Sequence, residues 1–105
     1  MICNWTQRSI REYRKIIEYL VEEYGATSAI SFVEALEKAD SILAKYSEAG
    51  FPEPLLADRG IIYRSYIVNK HNKLVYKVSS NKVTIVDIWD MRREPTSLSR
   101  RIKSK

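Results

Sequence analysis

The sequence predicts an α+β fold of two layers, with an N-terminal antiparallel helical hairpin packed on a three- to four-stranded, mainly antiparallel sheet. Three observations predict it. Apolar residues recur at three- and four-residue spacing up to Tyr46. Gly50-Phe51-Pro52-Glu53-Pro54 then breaks that period, because each proline lacks an amide donor and restricts the residue before it. Beyond it come three runs rich in β-branched and aromatic residues, at 61–68, 74–78 and 83–89, separated by short polar turns.

Taken in order, residues 1–5 offer a short additional strand. Thr6 is suited to cap a helix, since its oxygen can accept from the first free backbone amides. The helix it opens spans about 7–24, with Ile10, Tyr13, Ile17, Leu20 and Tyr24 on one stripe and Ile16 and Val21 widening it. Gly25 stops it. Thr27 is the expected cap of a second helix, whose stripe is Ala29, Phe32, Val33, Leu36, Ala39, Leu43 and Tyr46, and Gly50 its expected end. So short a connection folds the two helices back on each other. Asn69-Lys70-His71-Asn72 and Ser79-Ser80-Asn81-Lys82 turn the following strands. The third run is apolar on both faces and is expected to be covered on both.

Length and composition fit one folded domain. Of 105 residues, 45% are apolar and 30% charged, which excludes a disordered chain. No segment approaches the roughly 20 apolar residues of a membrane span, and the first residues form no apolar signal region, so a cytoplasmic location is expected. One cysteine and one histidine exclude an internal disulfide and a conventional zinc site; neither metal nor cofactor is expected. Charge is uneven. Residues 1–58 hold six Lys/Arg against ten Asp/Glu, and residues 59–105 hold twelve against three, which together give the net +5 of the chain. A second half of net +9 suits an anionic partner.

Phosphate loops, serine-nucleophile motifs and acidic metal clusters are absent from the sequence. What remains is a set of cations on and beside the strands: Arg64, Lys70, Lys73, Lys77, Arg92 and Arg93. Antiparallel pairing is expected to gather them on one open face opposite the helices, where they could hold phosphates. His71, in a polar turn, and Glu53, in a proline-braced loop, are the candidate proton-transfer groups.

The order of elements resembles the RelE/ParE superfamily of bacterial type II toxins over residues 1–95, leaving 96–105 as a basic tail, either a short helix or disordered. Lys73-Leu74-Val75-Tyr76-Lys77-Val78 is similar to the basic-Leu-Val-Tyr-x-Val strand of RelE and YoeB. Trp5-Thr6 resembles the Trp-Ser opening of YoeB, and Pro52-Glu53-Pro54-Leu55 its Pro-Glu-Pro-Leu loop. Asp87-Ile88-Trp89-Asp90-Met91-Arg92-Arg93-Glu94-Pro95 resembles plasmid-stabilisation and ParE-like members.

The resemblance implies catalytic roles for Arg64, Lys73, Arg92 and Glu53, the three cations on the scissile phosphate and Glu53 as general base. Lys70, His71, Lys77 and Arg93 would bind nucleic acid. It also implies departures: Tyr66 stands where RelE has a second catalytic lysine, and Leu98 near its C-terminal tyrosine. The expected partner is a cognate antitoxin that covers the cationic face. The expected activity is ribosome-dependent, metal-free cleavage of mRNA. The alternatives are ParE-like inhibition of DNA gyrase without catalysis, or a degenerate toxin that only binds its antitoxin.

Overall fold

The computed structural model describes residues 1–92 and Ile102. The elements follow as strand β1 (Ile2–Trp5), helices α1 (Gln7–Tyr24) and α2 (Ala26–Lys45), a two-residue strand β2 (Phe51–Pro52), a 3-10 turn (Pro54–Leu56), then β3 (Tyr63–Ile67), β4 (Asn72–Ser79) and β5 (Lys82–Asp90). Among the described residues the sheet has five strands in the order β1-β5-β4-β3-β2. All pairs are antiparallel except β1 with β5. The expected α+β architecture is therefore present, with one strand more than the sequence suggested: β2 lies inside the proline segment, at the sheet edge, where proline's missing donor costs no ladder bond.

Thr6 caps α1 as expected, its side chain accepting from Ser9 N at 3.2 Å. Gly25 ends it at φ 95°, a left-handed conformation that favours glycine, and donates to the carbonyls of Leu20 and Val21. Two expectations about α2 are corrected. The helix starts directly at Ala26 with no side-chain cap, so Thr27 is already inside it, and it ends at Lys45 rather than at Gly50. One glycine is enough to reverse the chain, and it leaves no room for a separate cap.

Successive strand residues point to opposite faces of the sheet. One face meets the helices in the main core, where Phe32, Leu36, Ala39 and Leu43 of α2 pack on Leu74, Tyr76, Val83, Ile85 and Ile88. Tyr13, Ile16, Ile17 and Leu20 of α1 join it from the side. The stripe of α1 is not all core: Val21 and Tyr24 are exposed, as is Tyr46 after α2. A second cluster of Leu56, Tyr63, Val75, Trp89 and Ile102 covers part of the other face. That face is thus not the open surface the sequence suggested. Ile102 belongs to the expected basic tail, yet its side chain is buried there and its carbonyl accepts from Arg59 Nε at 3.2 Å; the rest of the tail lies outside the described residues. A register shift places Val86 as an extra residue, with Tyr76 opposite Ile85 and Val75 opposite Asp87. It lets β5 bury side chains on both faces.

Gly50 fixes how the chain passes from α2 to the sheet. Its N–H donates to the phenol oxygen of the fully buried Tyr76 at 2.9 Å, and that phenol donates to the Ser47 carbonyl at 2.8 Å. A Cβ at Gly50 would lie 2.5 Å from the Ser65 carbonyl oxygen and 2.8 Å from the Tyr76 ring. Neither backbone nor a core aromatic can yield cheaply. Gly50→Ala is expected to lower stability by about 1–3 kcal/mol, the usual cost of overpacking, read as a lower urea midpoint with unchanged slope; an unchanged midpoint would contradict this packing.

Candidate functional site

The β3–β4 register decides where the candidate cations go. Arg64 pairs with Tyr76, and Ile67 pairs with Lys73. Tyr76 faces the helices, so Arg64 does too. Lys73 alternates with Leu74 and Tyr76 and points to the other face, with Val75 and Lys77. The expectation of one surface holding Arg64 and Lys73 is therefore corrected: the turn between their strands gives them opposite parity. Arg64 Nη1 donates to the Gly50 carbonyl at 2.9 Å. Arg92 follows Asp90, which pairs with Asn72. That is four residues along β4 from Tyr76, or about 13 Å of strand.

Glu53 and Lys73 do meet, but as partners of each other. Glu53 is 3% exposed and Lys73 8%. One carboxylate oxygen of Glu53 accepts from Lys73 Nζ and from Ser65 Oγ at 2.6 Å. The other accepts from Leu55 N at 3.1 Å, which caps the 3-10 turn. Lys73 Nζ also lies 5.9 Å from the Phe51 ring centroid, a cation–π distance. Burial pushes the Glu53 carboxyl up, but the Lys73 ammonium, the Ser65 hydroxyl and the Leu55 amide outweigh it and hold the group below the usual carboxylate range. A carboxylate so stabilised is a poor proton acceptor near neutrality.

The remaining candidates separate in the same way. His71 and Arg92 line a cleft of about 880 Å³ between the helical hairpin and the Asn72–Asp90 end of the sheet, together with Lys15, Tyr19, Ser28 and Asp90. The turn that carries His71 is held by Asn69, whose side-chain oxygen accepts from the amides of His71 and Asn72 at 2.9 Å. Met91 N donates to the His71 carbonyl at 2.7 Å, which brings Arg92 alongside. Arg92 grips Asp90 through Nε at 2.9 Å and Nη2 at 2.8 Å. Lys70 is exposed in the turn, Lys77 is half-buried on the face away from the helices, and Arg93 lies outside the described residues. Sequence reasoning did not find Ser65 and Phe51, which complete the Glu53–Lys73 cluster, nor Lys15 and Ser28 of the cleft. The signal for Ser65 was its two-residue spacing from Tyr63 and Ile67. Cys3 packs against the main core, where burial and Asp40 push its thiol up to about 11, far from reactivity. Among the described residues no group of three or more His, Cys, Asp or Glu could hold a metal.

A helical hairpin on a mixed sheet with β1 parallel to β5 is an architecture shared with bacterial toxins. A chain of the chromosomal ParDE TA system from P. aeruginosa is similar at TM-score 0.70 and 16% identity, over 86% of this chain and 95% of that one. The YoeB/ParE toxin from Agrobacterium tumefaciens is similar at TM-score 0.57 and 22% identity, over 86% and 98%. At such identities the likeness is one of fold. No curated protein sequence matches. The family model described as the ParE toxin of type II toxin-antitoxin system, parDE, matches residues 3–95. The chain belongs to this ParE toxin family, and membership implies a cognate antitoxin as its partner.

Removing Lys73 strands a buried carboxylate. Lys73→Met is expected to cost about 3–5 kcal/mol in urea unfolding, and adding Glu53→Gln is expected to recover a large part; additive losses would contradict the pairing. Because the folded Glu53 value lies below its ordinary 4.5, the stability it contributes is present above that pH and lost as the pH falls through the lowered folded value. Stability measured from pH 7 down to pH 3 should therefore fall less steeply in Glu53→Gln than in the wild type.

Proposed function

We propose that this toxin acts by binding its target without cutting RNA, and that the target is DNA gyrase. The reading is carried by one observation: Glu53 and Lys73 neutralise each other in a buried pair, while Arg64 stands on the opposite face of the sheet. Metal-free cleavage of RNA needs a proton acceptor and a cation within reach of one phosphate. Here the acceptor is consumed by the cation. Tyr66, where RelE has a lysine, supports the same reading, as does the family match to ParE. A chain of net charge +5 whose excess lies in its second half suits an enzyme complex that presents anionic surface. Among the described residues no helix is long and apolar enough to cross a membrane, in keeping with action in the cytoplasm.

One observation favours mRNA cleavage instead: His71 and Arg92 share a cleft large enough for a nucleotide. In that reading His71 would move the proton and Arg92, released from Asp90, would hold the phosphate.

Two assays run side by side separate these. Purified protein is expected to inhibit supercoiling by gyrase and to leave transcript ends intact in a cell-free translation reaction. Inhibition should persist in Glu53→Gln, since that carboxylate has no chemical step to perform. Mapped cleavage of the transcript, lost in Arg92→Ala or His71→Ala, would overturn the gyrase reading.

A further inference from the structure

The cleft between the helical hairpin and the end of the sheet holds a buried polar side chain that no described residue satisfies. Asn72 opens β4, two residues before Leu74, and so faces the helices. It is 9% exposed and lines the cleft. Its backbone is engaged: the amide donates to Asn69 Oδ1 at 2.9 Å, and the carbonyl accepts from Val68 N at 2.9 Å. Its side-chain amide has no hydrogen bond among the described residues. A buried polar group without a partner is costly, so an amide left open to a cleft points to something that enters and pairs with it.

The surroundings of Asn72 grade from apolar to charged. Ile16, Leu20, Phe32 and Ile88 form the wall beside it, and Phe32 and Ile88 belong to the main core. At the opening stand Lys15 and Arg92, whose side chains are 69% and 60% exposed. Each has an acidic neighbour, Glu12 at 3.4 Å from Lys15 and Asp90 beside Arg92. Both keep donors to spare: the ammonium carries three, and Arg92 Nη1 has no bond among the described residues. Tyr19 and Tyr24 flank the same opening, edge to face with ring centroids 6.1 Å apart. Thr27 and Ser28 line it from the start of α2, a helix with no side-chain cap and no acid in its first turn. The free amides of that turn add positive potential.

A ligand that suits both ends has a flat ring with a hydrogen-bonding edge at one end and an anionic group at the other. We propose that the cleft binds an adenine mononucleotide, the base beside Asn72 and the phosphate between Lys15 and Arg92. An asparagine amide sets a donor and an acceptor side by side, which matches the N7 acceptor and N6–H donor of adenine. Guanine presents two acceptors on that edge and would leave the amide oxygen unpaired. A volume of about 880 Å³ is in the range of small-molecule sites. The ligand is bound and not cut, and the site is independent of how the toxin disables its target. A residue of an RNA strand carries the same chemistry, so the test separates the two sources.

The test is calorimetric titration of the full chain with adenosine 5′-monophosphate, guanosine 5′-monophosphate, adenosine, inorganic phosphate and a pentaadenylate RNA. The adenine mononucleotide is expected to bind at least about tenfold tighter than adenosine or phosphate, and about fivefold or more tighter than its guanine counterpart. In an NMR titration the side-chain amide signals of Asn72 should shift with the same midpoint. Lys15→Ala/Arg92→Ala is expected to reduce the mononucleotide to the affinity of adenosine, and Asn72→Leu to abolish the preference for adenine. Lys45→Ala, at the opposite end of α2, is expected to leave binding unchanged. Lys15 and Arg92 are exposed, so that variant decides the matter even if Asn72→Leu does not fold. Absence of binding at millimolar mononucleotide, equal affinity for the two bases, or affinity that survives Lys15→Ala/Arg92→Ala would overturn the proposal. Pentaadenylate binding more than about tenfold tighter than the mononucleotide would assign the cleft to an RNA strand and overturn it as well.

Discussion

The carboxylate of Glu53 ties the far edge of the sheet together. It accepts from Ser65 on β3, from Lys73 on β4 and from Leu55 at the start of the 3-10 turn. Three donors from three segments converge on a group that is 3% exposed. Taking two charges out of water costs several kcal/mol per ion, and such a pair is tolerated only when its remaining lone pairs and protons are also satisfied. Here they are largely satisfied, with Phe51 closing over the ammonium. The arrangement holds β2 and the following turn against the sheet, which in turn places Leu56 in the second core.

That constraint has a consequence for chemistry. Glu53 and Lys73 are engaged with each other, and a second candidate cation, Arg64, is held by the Gly50 carbonyl on the helix side. The parity of one hairpin produces this. With Ile67 opposite Lys73, position 64 falls three residues from position 67 and so on the other face. A turn one residue longer or shorter would have reversed the relation. Charge convergence in a small sheet protein therefore depends on turn length as much as on where the lysines and arginines fall along the chain.

Most of the fold was legible because its determinants are local. Thr6, Gly25 and the 3.6-residue periodicity of α1 are adjacent in sequence to what they control, and the three β-branched runs became three strands with ends shifted by one or two residues. What was not legible was non-local. β2 is two residues long and exists because Gly50 lets the chain pass close to Ser65 and Tyr76. The partial closure of the second face depends on Leu56 and Ile102 reaching Tyr63 and Trp89 from distant parts of the chain. The pairing of Glu53 with Lys73 was not legible for the same reason: their residue types pointed to an anionic substrate, while the neighbours that complete the cluster, Ser65 and Phe51, carry no chemical signature. The exposed part of the α1 stripe shows the converse case, where a periodic apolar pattern exceeds what the chain itself covers.

The most direct test is the ionisation of the Glu53 carboxyl in the folded toxin, followed by its side-chain carbon resonance in an NMR titration. The buried pair predicts a midpoint below that of an ordinary glutamate, with the Lys73 ammonium protected from exchange with solvent. A midpoint near neutrality, with the Lys73 ammonium exchanging freely, would mean that the carboxylate is available as a base, and would contradict the assignment of this pair to structure rather than catalysis.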